Sequence, residues 1–250
     1  MENELKQKNR PQKKTSLNGP ATGQSEAARN LFSEMQVSAK ALKALDAFIS
    51  TIRHHVVSER MRRVGEEAPD FILPDTGGRE VRLYTELESG PVVLVFYRGG
   101  WCPFCTLHLR GYQRILASLH TAGARLLAVS PQLPDGSLLT RETNGLKFPL
   151  LSDVGNHVAR RFGVACRLPE ELMGLHGKLG LSLVLANGIT GRRELPFPAT
   201  FVIETDRRVQ SSQVDFDYAH RAEPENVLQR SPTFTKQSKP LTQPTTLKSL

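Results

Sequence analysis

Cysteine is scarce in this chain: three in 250 residues, too few for the disulfide-stapled scaffolds of secreted proteins, so its thiols are expected to stay reduced. Long apolar runs are absent as well. No stretch of 18 apolar residues occurs, which argues against a membrane-spanning helix, and the start Met1-Glu2-Asn3-Glu4-Leu5-Lys6-Gln7-Lys8 lacks the apolar centre of a secretory signal. These absences lead to the expectation of a soluble, cytoplasmic protein.

Charge of one sign is plentiful, with a net +8, but it sits at the ends. Residues 1–24 carry Lys6, Lys8, Arg10, Lys13 and Lys14 against Glu2 and Glu4, and residues 231–250 carry Lys236, Lys239 and Lys248 with no acid. The part between them holds only +2, which argues against a basic face for specific nucleic-acid binding. Both ends are too polar to offset the entropy of ordering them and are expected to be disordered tails.

With 39% hydrophobic residues the chain can build one sizeable core, so a single domain over 61–230 is expected. Ahead of it, residues 25–60 read as an amphipathic helical extension, because Leu31, Met35, Ser38, Leu42, Leu45, Ile49, Ile52 and Val56 recur every three or four positions. The near-heptad spacing fits either a coiled-coil homodimer seam or packing onto the chain's own domain.

From residue 65 the pattern becomes short strands alternating with helices, an α/β arrangement. Asp70-Phe71-Ile72-Leu73 and Glu80-Val81-Arg82-Leu83 flank Pro74-Asp75-Thr76-Gly77-Gly78 as a hairpin. Residues 92–96 show no polar alternation and read as a central strand buried on both faces. A helix follows, ending near Ala122-Gly123, then a strand at 124–129 whose β-helix-β order calls for a right-handed crossover. Further on come a helix at 134–144, a strand at 148–151, helices at 154–162 and 168–179, strands at 199–203 and 209–214, and a short helix at 224–229. Between the last two strands Asp206-Arg207-Arg208 turns without glycine, so either local strain or a wider loop is expected there.

Two of the three cysteines stand where strand meets helix, in Gly99-Gly100-Trp101-Cys102-Pro103-Phe104-Cys105. Amide N–H groups and the dipole of a helix N-terminus favour thiolate over thiol, and Pro103 suits the first helical turn, which puts Cys102 near the N-cap. Residues three apart on a helix lie roughly 5 Å apart at Cα, within reach of a disulfide. Dithiol redox chemistry follows, with Cys102 as an exposed nucleophile and Cys105 as the thiol that resolves its adduct. The same spacing also serves half a zinc site, for which the remaining Cys166 and the adjacent His54 and His55 make poor complements, or a pair of inert buried thiols.

Once this motif is set beside Pro198-Ala199-Thr200-Phe201-Val202-Ile203, the chain resembles thioredoxin-fold proteins. More narrowly it resembles the alkyl hydroperoxide reductase and thiol-specific antioxidant family, in its peroxiredoxin-like branch. The likeness runs from Ala68-Pro69-Asp70-Phe71 through residues 95–105 and Phe148-Pro149-Leu150-Leu151-Ser152-Asp153 to Ala222-Glu223-Pro224-Glu225. It implies a thioredoxin-like fold, a central mixed sheet flanked by helices, and reduction of hydroperoxides by a thiol. No cofactor or metal is implied, and a thioredoxin-like or small-thiol reductant would be the partner. In this resemblance Cys102 is the peroxidatic cysteine and Cys105 the resolving one, with Trp101, Pro103, Pro198 and Thr200 in support. Pro198 matches the cis proline that faces the cysteines in thioredoxin-like proteins.

The chain departs from the family at two positions. Peroxiredoxins carry a threonine three residues before the attacking cysteine and an arginine on the later strand, where this chain has Gly99 and Pro198. A thioredoxin-like disulfide oxidoreductase, or a non-catalytic interaction module, therefore stand as alternatives to a peroxidase. Arg98 reads as either a substitute positive charge or a solvated side chain. His108 reads as a proton-transfer aid or a solvent-facing residue on the helix, and Cys166 as a distant resolving thiol or a small buried hydrophobe.

Overall fold

The computed structural model describes residues 61–168, 186–188, 193–215, 223–230 and 234. The expected tail at 1–24, the helical extension at 25–60 and nearly all of the helix expected at 168–179 lie outside the described residues. Of the tail at 231–250, Phe234 is described, and it is buried in the core.

Strand β3 (Val92–Phe96) explains most of the architecture. All five of its residues are buried, and alternate ones point into two separate clusters, as the two-residue period of a strand requires. Val93 and Val95 face helix α2 (Pro103–Thr121), while Val92, Leu94 and Phe96 face the opposite layer. On α2 the buried residues Leu109, Tyr112, Ile115, Leu116 and Leu119 recur at three- and four-residue steps, so one face of the helix lies on the sheet. The opposite layer is built by helix α1 (Leu83–Leu87), helix α4 (His157–Arg161) and the following Phe162. There Phe162 meets Phe96 and Phe201 at ring-centroid distances of 5.2 Å each, in tilted and edge-on contacts.

The central sheet has the order β5-β4-β3-β8-β9, with β4 at Arg125–Ser130, β5 at Leu150–Ser152, β8 at Ala199–Ile203 and β9 at Val209–Val214. Strands β3, β4 and β5 are parallel neighbours, and β8 and β9 run antiparallel on the other side of β3. The sheet is therefore mixed and flanked by helices, as the resemblance implied. Helix α3 (Pro134–Thr143) connects β4 to β5. A hairpin of β1 (Ile72–Pro74) and β2 (Glu80–Arg82) precedes the sheet, and helix α5 (Glu225–Arg230) follows it.

Several boundaries differ from expectation, each for a local reason. Strand β1 starts two residues late because the Asp70 carboxylate accepts the N–H groups of Phe71 and Tyr84 and the Arg82 Nε–H, which curls the chain before Ile72. Strand β5 falls at 150–152 rather than 148–151. Helix α4 is shorter than the expected 154–162, since the buried Asp153 carboxylate accepts the amides of Val158 and Ala159 and residue Asn156 adopts a left-handed φ of 59°. The third sheet, β6 (Ala165–Arg167) antiparallel to β7 (Glu194–Pro196), had no counterpart in the sequence reading. The strained turn did appear: Arg207 has φ 70°, a conformation costing about 1 kcal/mol or more for a non-glycine residue, and its guanidinium stacks 4.3 Å from the Tyr84 ring centre.

Phe162 is fully buried at the meeting point of three aromatic rings, so Phe162→Ala is expected to lower stability by about 3–5 kcal/mol. Leu139→Ala, at a side chain 65% exposed, should change it by less than about 0.5 kcal/mol. Urea midpoints at constant m-value measure both.

Candidate active site

The strand-to-helix junction lies between the end of β3 at Phe96 and the start of α2 at Pro103, a first-turn position where a proline is tolerated. Tyr97 N–H still bonds to Val129 O at 3.0 Å, continuing the β3–β4 ladder one residue past Phe96. Cys102 is the N-cap of α2, with extended φ −89° and ψ 110°, and Pro103 is the first helical residue, where its missing N–H costs nothing. The first turn closes as Cys105 N–H and Thr106 N–H donate to Cys102 O at 3.0 and 3.1 Å. Cys105 therefore sits one turn beyond Cys102, as expected, and no disulfide joins any of the cysteines.

Burial alters two roles assigned from sequence. Cys102, expected to be an exposed nucleophile, is only 3% exposed, beside Cys105 at 1%. Both lie in the cluster between α2 and the sheet, on which the partly buried Trp101 packs. The solvent-facing reading of His108 also fails: it is 2% exposed, with its ring edge-on to Tyr112 at 5.0 Å. The reason is its position on α2, one turn past Cys105 and one turn before Tyr112, on the helix face that covers the sheet.

Arg98 is likewise buried, at 3% exposure, not solvated. Its charge acts on Cys166. Burial raises the Cys166 thiol to about 12, Arg98 pulls against that rise, and Glu194 adds to it. A thiol held protonated in this way fits the reading of Cys166 as a small buried hydrophobe, packed with Phe197, and not that of a distant resolving group.

Pro198 is corrected as well. No cis peptide bond occurs among the described residues, so Phe197–Pro198 is trans. Its carbonyl accepts the Asp215 N–H at 2.9 Å, a bond that ties the start of β8 to the chain beyond β9. The Phe96–Ala199 register nevertheless brings Pro198 to the end of the sheet from which the chain leads to Cys102. Thr200 is buried and pairs with the Tyr112 hydroxyl at 2.8 Å, joining β8 to α2. Burial pushes the Tyr112 pKa well above the usual tyrosine range, against the opposing Thr200 bond.

Four residues with clear roles here went unnoticed in the sequence. Gln132, just after β4, accepts the Gly100 N–H at 2.7 Å and the Thr140 hydroxyl at 3.3 Å. Thr140 also donates to Gly136 O at 2.7 Å. Asn187 accepts the Trp101 indole N–H at 3.0 Å. Tyr97 is buried on the α2 side of the sheet. Desolvation raises its pKa to about 12, the charge of Cys105 adds to the rise, and the Ser130 and Ser137 hydroxyls oppose it, although neither closes a hydrogen bond with the phenol. The signal for the tight loop was the pair Gly99-Gly100. Gly99 has φ 151°, and a Cβ there would overlap the Trp101 indole nitrogen, while a Cβ on Gly100 would overlap Thr140 Oγ1. The glycine in place of the family's threonine thus follows from the way Trp101 folds back. Among the described residues no group of three or more His, Cys, Asp or Glu side chains is placed to hold a metal ion, and no helix is long and apolar enough to cross a membrane.

A mixed sheet of this order, with a dithiol pair at the N-terminus of the helix that follows its central strand, defines a thioredoxin-like protein. Within that class the chain belongs to the AhpC/TSA family, whose model matches residues 64–212. It is 34% identical over 102 residues to peroxiredoxin Bcp of Escherichia coli K12, covering 41% of this chain and 65% of that protein. It is also 34% identical over 99 residues, 40% of this chain, to a Mycobacterium tuberculosis protein named as a peroxiredoxin, and spans 62% of its length, less than two thirds in both cases. Among solved structures, peroxidoxin BcpB of M. tuberculosis superposes with a TM-score of 0.55 at 25% identity, over 70% of this chain and 97% of that one. A peroxiredoxin-like protein from Aquifex aeolicus, at 16% identity and TM-score 0.53 over 72% and 91%, shares the fold.

Two predictions follow from these contacts. Gly100→Ala should cost about 1–3 kcal/mol through overpacking and displace the loop, and adding Thr140→Ala should recover part of the loss in a urea titration. Stability should also fall above pH ~9. The unfolded chain then loses protons from Cys166 and, near pH 10, from Tyr97, whereas the fold holds both protons to about 12. Because the folded pKa values are the higher ones, the contribution is complete at neutral pH and lost on going alkaline. Comparing pH–stability curves of the wild type and Cys166→Ala should show the onset moved up toward pH ~10.

Proposed function

We propose that this protein is a thiol-dependent peroxidase that reduces hydroperoxides through Cys102 and Cys105. The observation that carries this reading is Cys102 at the N-cap of α2 with Cys105 one turn on, in a chain of the AhpC/TSA family. The Cys102 thiolate attacks the terminal oxygen of the hydroperoxide. The O–O bond breaks, the alkoxide takes a proton and leaves as an alcohol, and Cys102 becomes a sulfenic acid. Cys105 then attacks that sulfur, expelling water and forming the Cys102–Cys105 disulfide. An external reductant, the dithiol of a thioredoxin-like protein or two molecules of a small thiol, attacks the disulfide and is itself oxidised to a disulfide as both cysteines regain thiols. A cytoplasmic setting would keep that reductant supplied.

A second reading is favoured by one specific observation. Gly99 and Pro198 occupy the positions where the family carries its threonine and arginine, and the buried Arg98 acts on Cys166. A site without those groups suits protein disulfide exchange by the same pair.

The single tryptophan lies next to Cys102, so stopped-flow fluorescence separates the readings. Rapid change on mixing with submicromolar hydroperoxide, followed by a 102–105 disulfide in peptide mass maps, is expected of the peroxidase; response to disulfides alone indicates the exchange enzyme. Cys102→Ser should lower turnover by at least about 10³-fold, and turnover surviving that substitution removes Cys102 as the nucleophile.

A further inference from the structure

A single buried amide grips the loop that leads to Cys102 at both of its ends. Asn187 is 0% exposed. Its Oδ1 accepts the Trp101 Nε1–H at 3.0 Å, and its Nδ2–H donates to the carbonyl of Arg98 at 3.2 Å. These two anchor points bracket Gly99 and Gly100, and the residue after Trp101 is Cys102. The amide thus uses both its donor and its acceptor to fix where a four-residue loop begins and ends, with bonds of ordinary length for neutral groups.

Trp101 is one of the partly buried side chains packed on the cluster that contains Cys102 and Cys105, and it folds back over Gly99 so closely that no side chain fits beneath its indole nitrogen. Cys102 itself is 3% exposed. A thiol so covered reacts with a dissolved molecule only in those moments when its cover shifts, and the frequency of such local openings is set by the contacts that must break. On the Gln132 side, Gln132 Oε1 accepts the Gly100 N–H and also the Thr140 hydroxyl of α3. On the other side, Ala186, the residue before Asn187, accepts the Leu133 N–H through its carbonyl at 3.4 Å.

We infer that Asn187 is a positioning residue whose amide latches the Trp101 indole to the Arg98 carbonyl and thereby sets how readily solutes reach Cys102. The inference builds on the reading of Cys102 as the reacting thiol, and the experiment below reports on the latch without requiring turnover.

The test uses the reduced full-length chain with Asn187→Ala. Two properties are read: the emission of Trp101, and the rate at which iodoacetamide alkylates each cysteine as a function of pH, resolved by peptide mass. The expected result is a changed Trp101 emission and an alkylation of Cys102 about five- to tenfold faster, the worth of about one net hydrogen bond, with the pH midpoint of that alkylation unchanged and Cys166 no faster. If Asn187→Ala does not fold, Trp101→Phe, which removes the indole N–H together with part of the ring, should also give a selective gain at Cys102. An unchanged Cys102 rate, a gain shared equally by Cys166, or a shifted pH midpoint without a higher plateau would each overturn the latch. Peroxide turnover persisting in Cys102→Ser would instead overturn the functional reading while leaving the Trp101 emission change in place.

Discussion

The placement of Cys102 and Cys105 depends on how the chain crosses from the end of β3 to the start of α2 in six residues. A strand buried on both faces cannot bend freely, and a helix beginning on Pro103 has its direction set by the packing of its inner face on the sheet. The link is closed by three fixtures: Cys102 N–H to Gly99 O at 3.1 Å, Gly100 N–H to Gln132, and the Asn187 amide across Arg98 and Trp101. Each satisfies a backbone or indole group that would otherwise be buried at a cost of about 1–3 kcal/mol. Two glycines are needed because the loop passes so near Thr140 and Trp101 that side chains would collide. Cys102 therefore emerges at the helix N-terminus in one conformation, and Cys105 inherits its place from the helical repeat.

Around that junction the polar groups are arranged in the low-dielectric layer between α2 and the sheet. The Tyr112 and Thr200 hydroxyls are hydrogen-bonded between helix and strand, and Tyr97 holds its hydroxyl within electrostatic reach of Cys105. On a separate element, Cys166 is kept protonated by burial despite the neighbouring Arg98 charge. The chain thus contains three buried thiols in two different environments, and only the pair at the helix N-terminus has the dipole and amide setting that favours a thiolate.

The fold was legible wherever a periodic signal was strong. The unbroken apolar run 92–96 identified the central strand, Ala122-Gly123 the end of α2, and the glycine-free turn at 206–208 the strained Arg207. Short elements were less so. A three-residue strand such as β6 or β7 carries no period, and the start of α4 was decided by the carboxylate of Asp153, which reaches amides five and six residues away. In the site, Cys102, Cys105 and Pro103 could be read from a seven-residue motif because their relation is local to one helix turn. Arg98, His108 and Pro198 were misread for one shared reason: exposure and peptide geometry depend on what packs from elsewhere, and Gln132, Thr140 and Asn187 were missed because their partners lie 32, 40 and 86 residues distant along the chain or act through such partners.

The amino-acid order alone determined that two thiols would share a helical turn at the exit of a buried strand, since hydrophobic run, proline position and i,i+3 spacing act over a few bonds. Whether those thiols meet solvent, which charges face them and what holds the tryptophan beside them were decided only when β4, α3 and the piece 186–188 closed around the loop. Those contacts join groups far apart in the chain, and their energies exist only in the packed core.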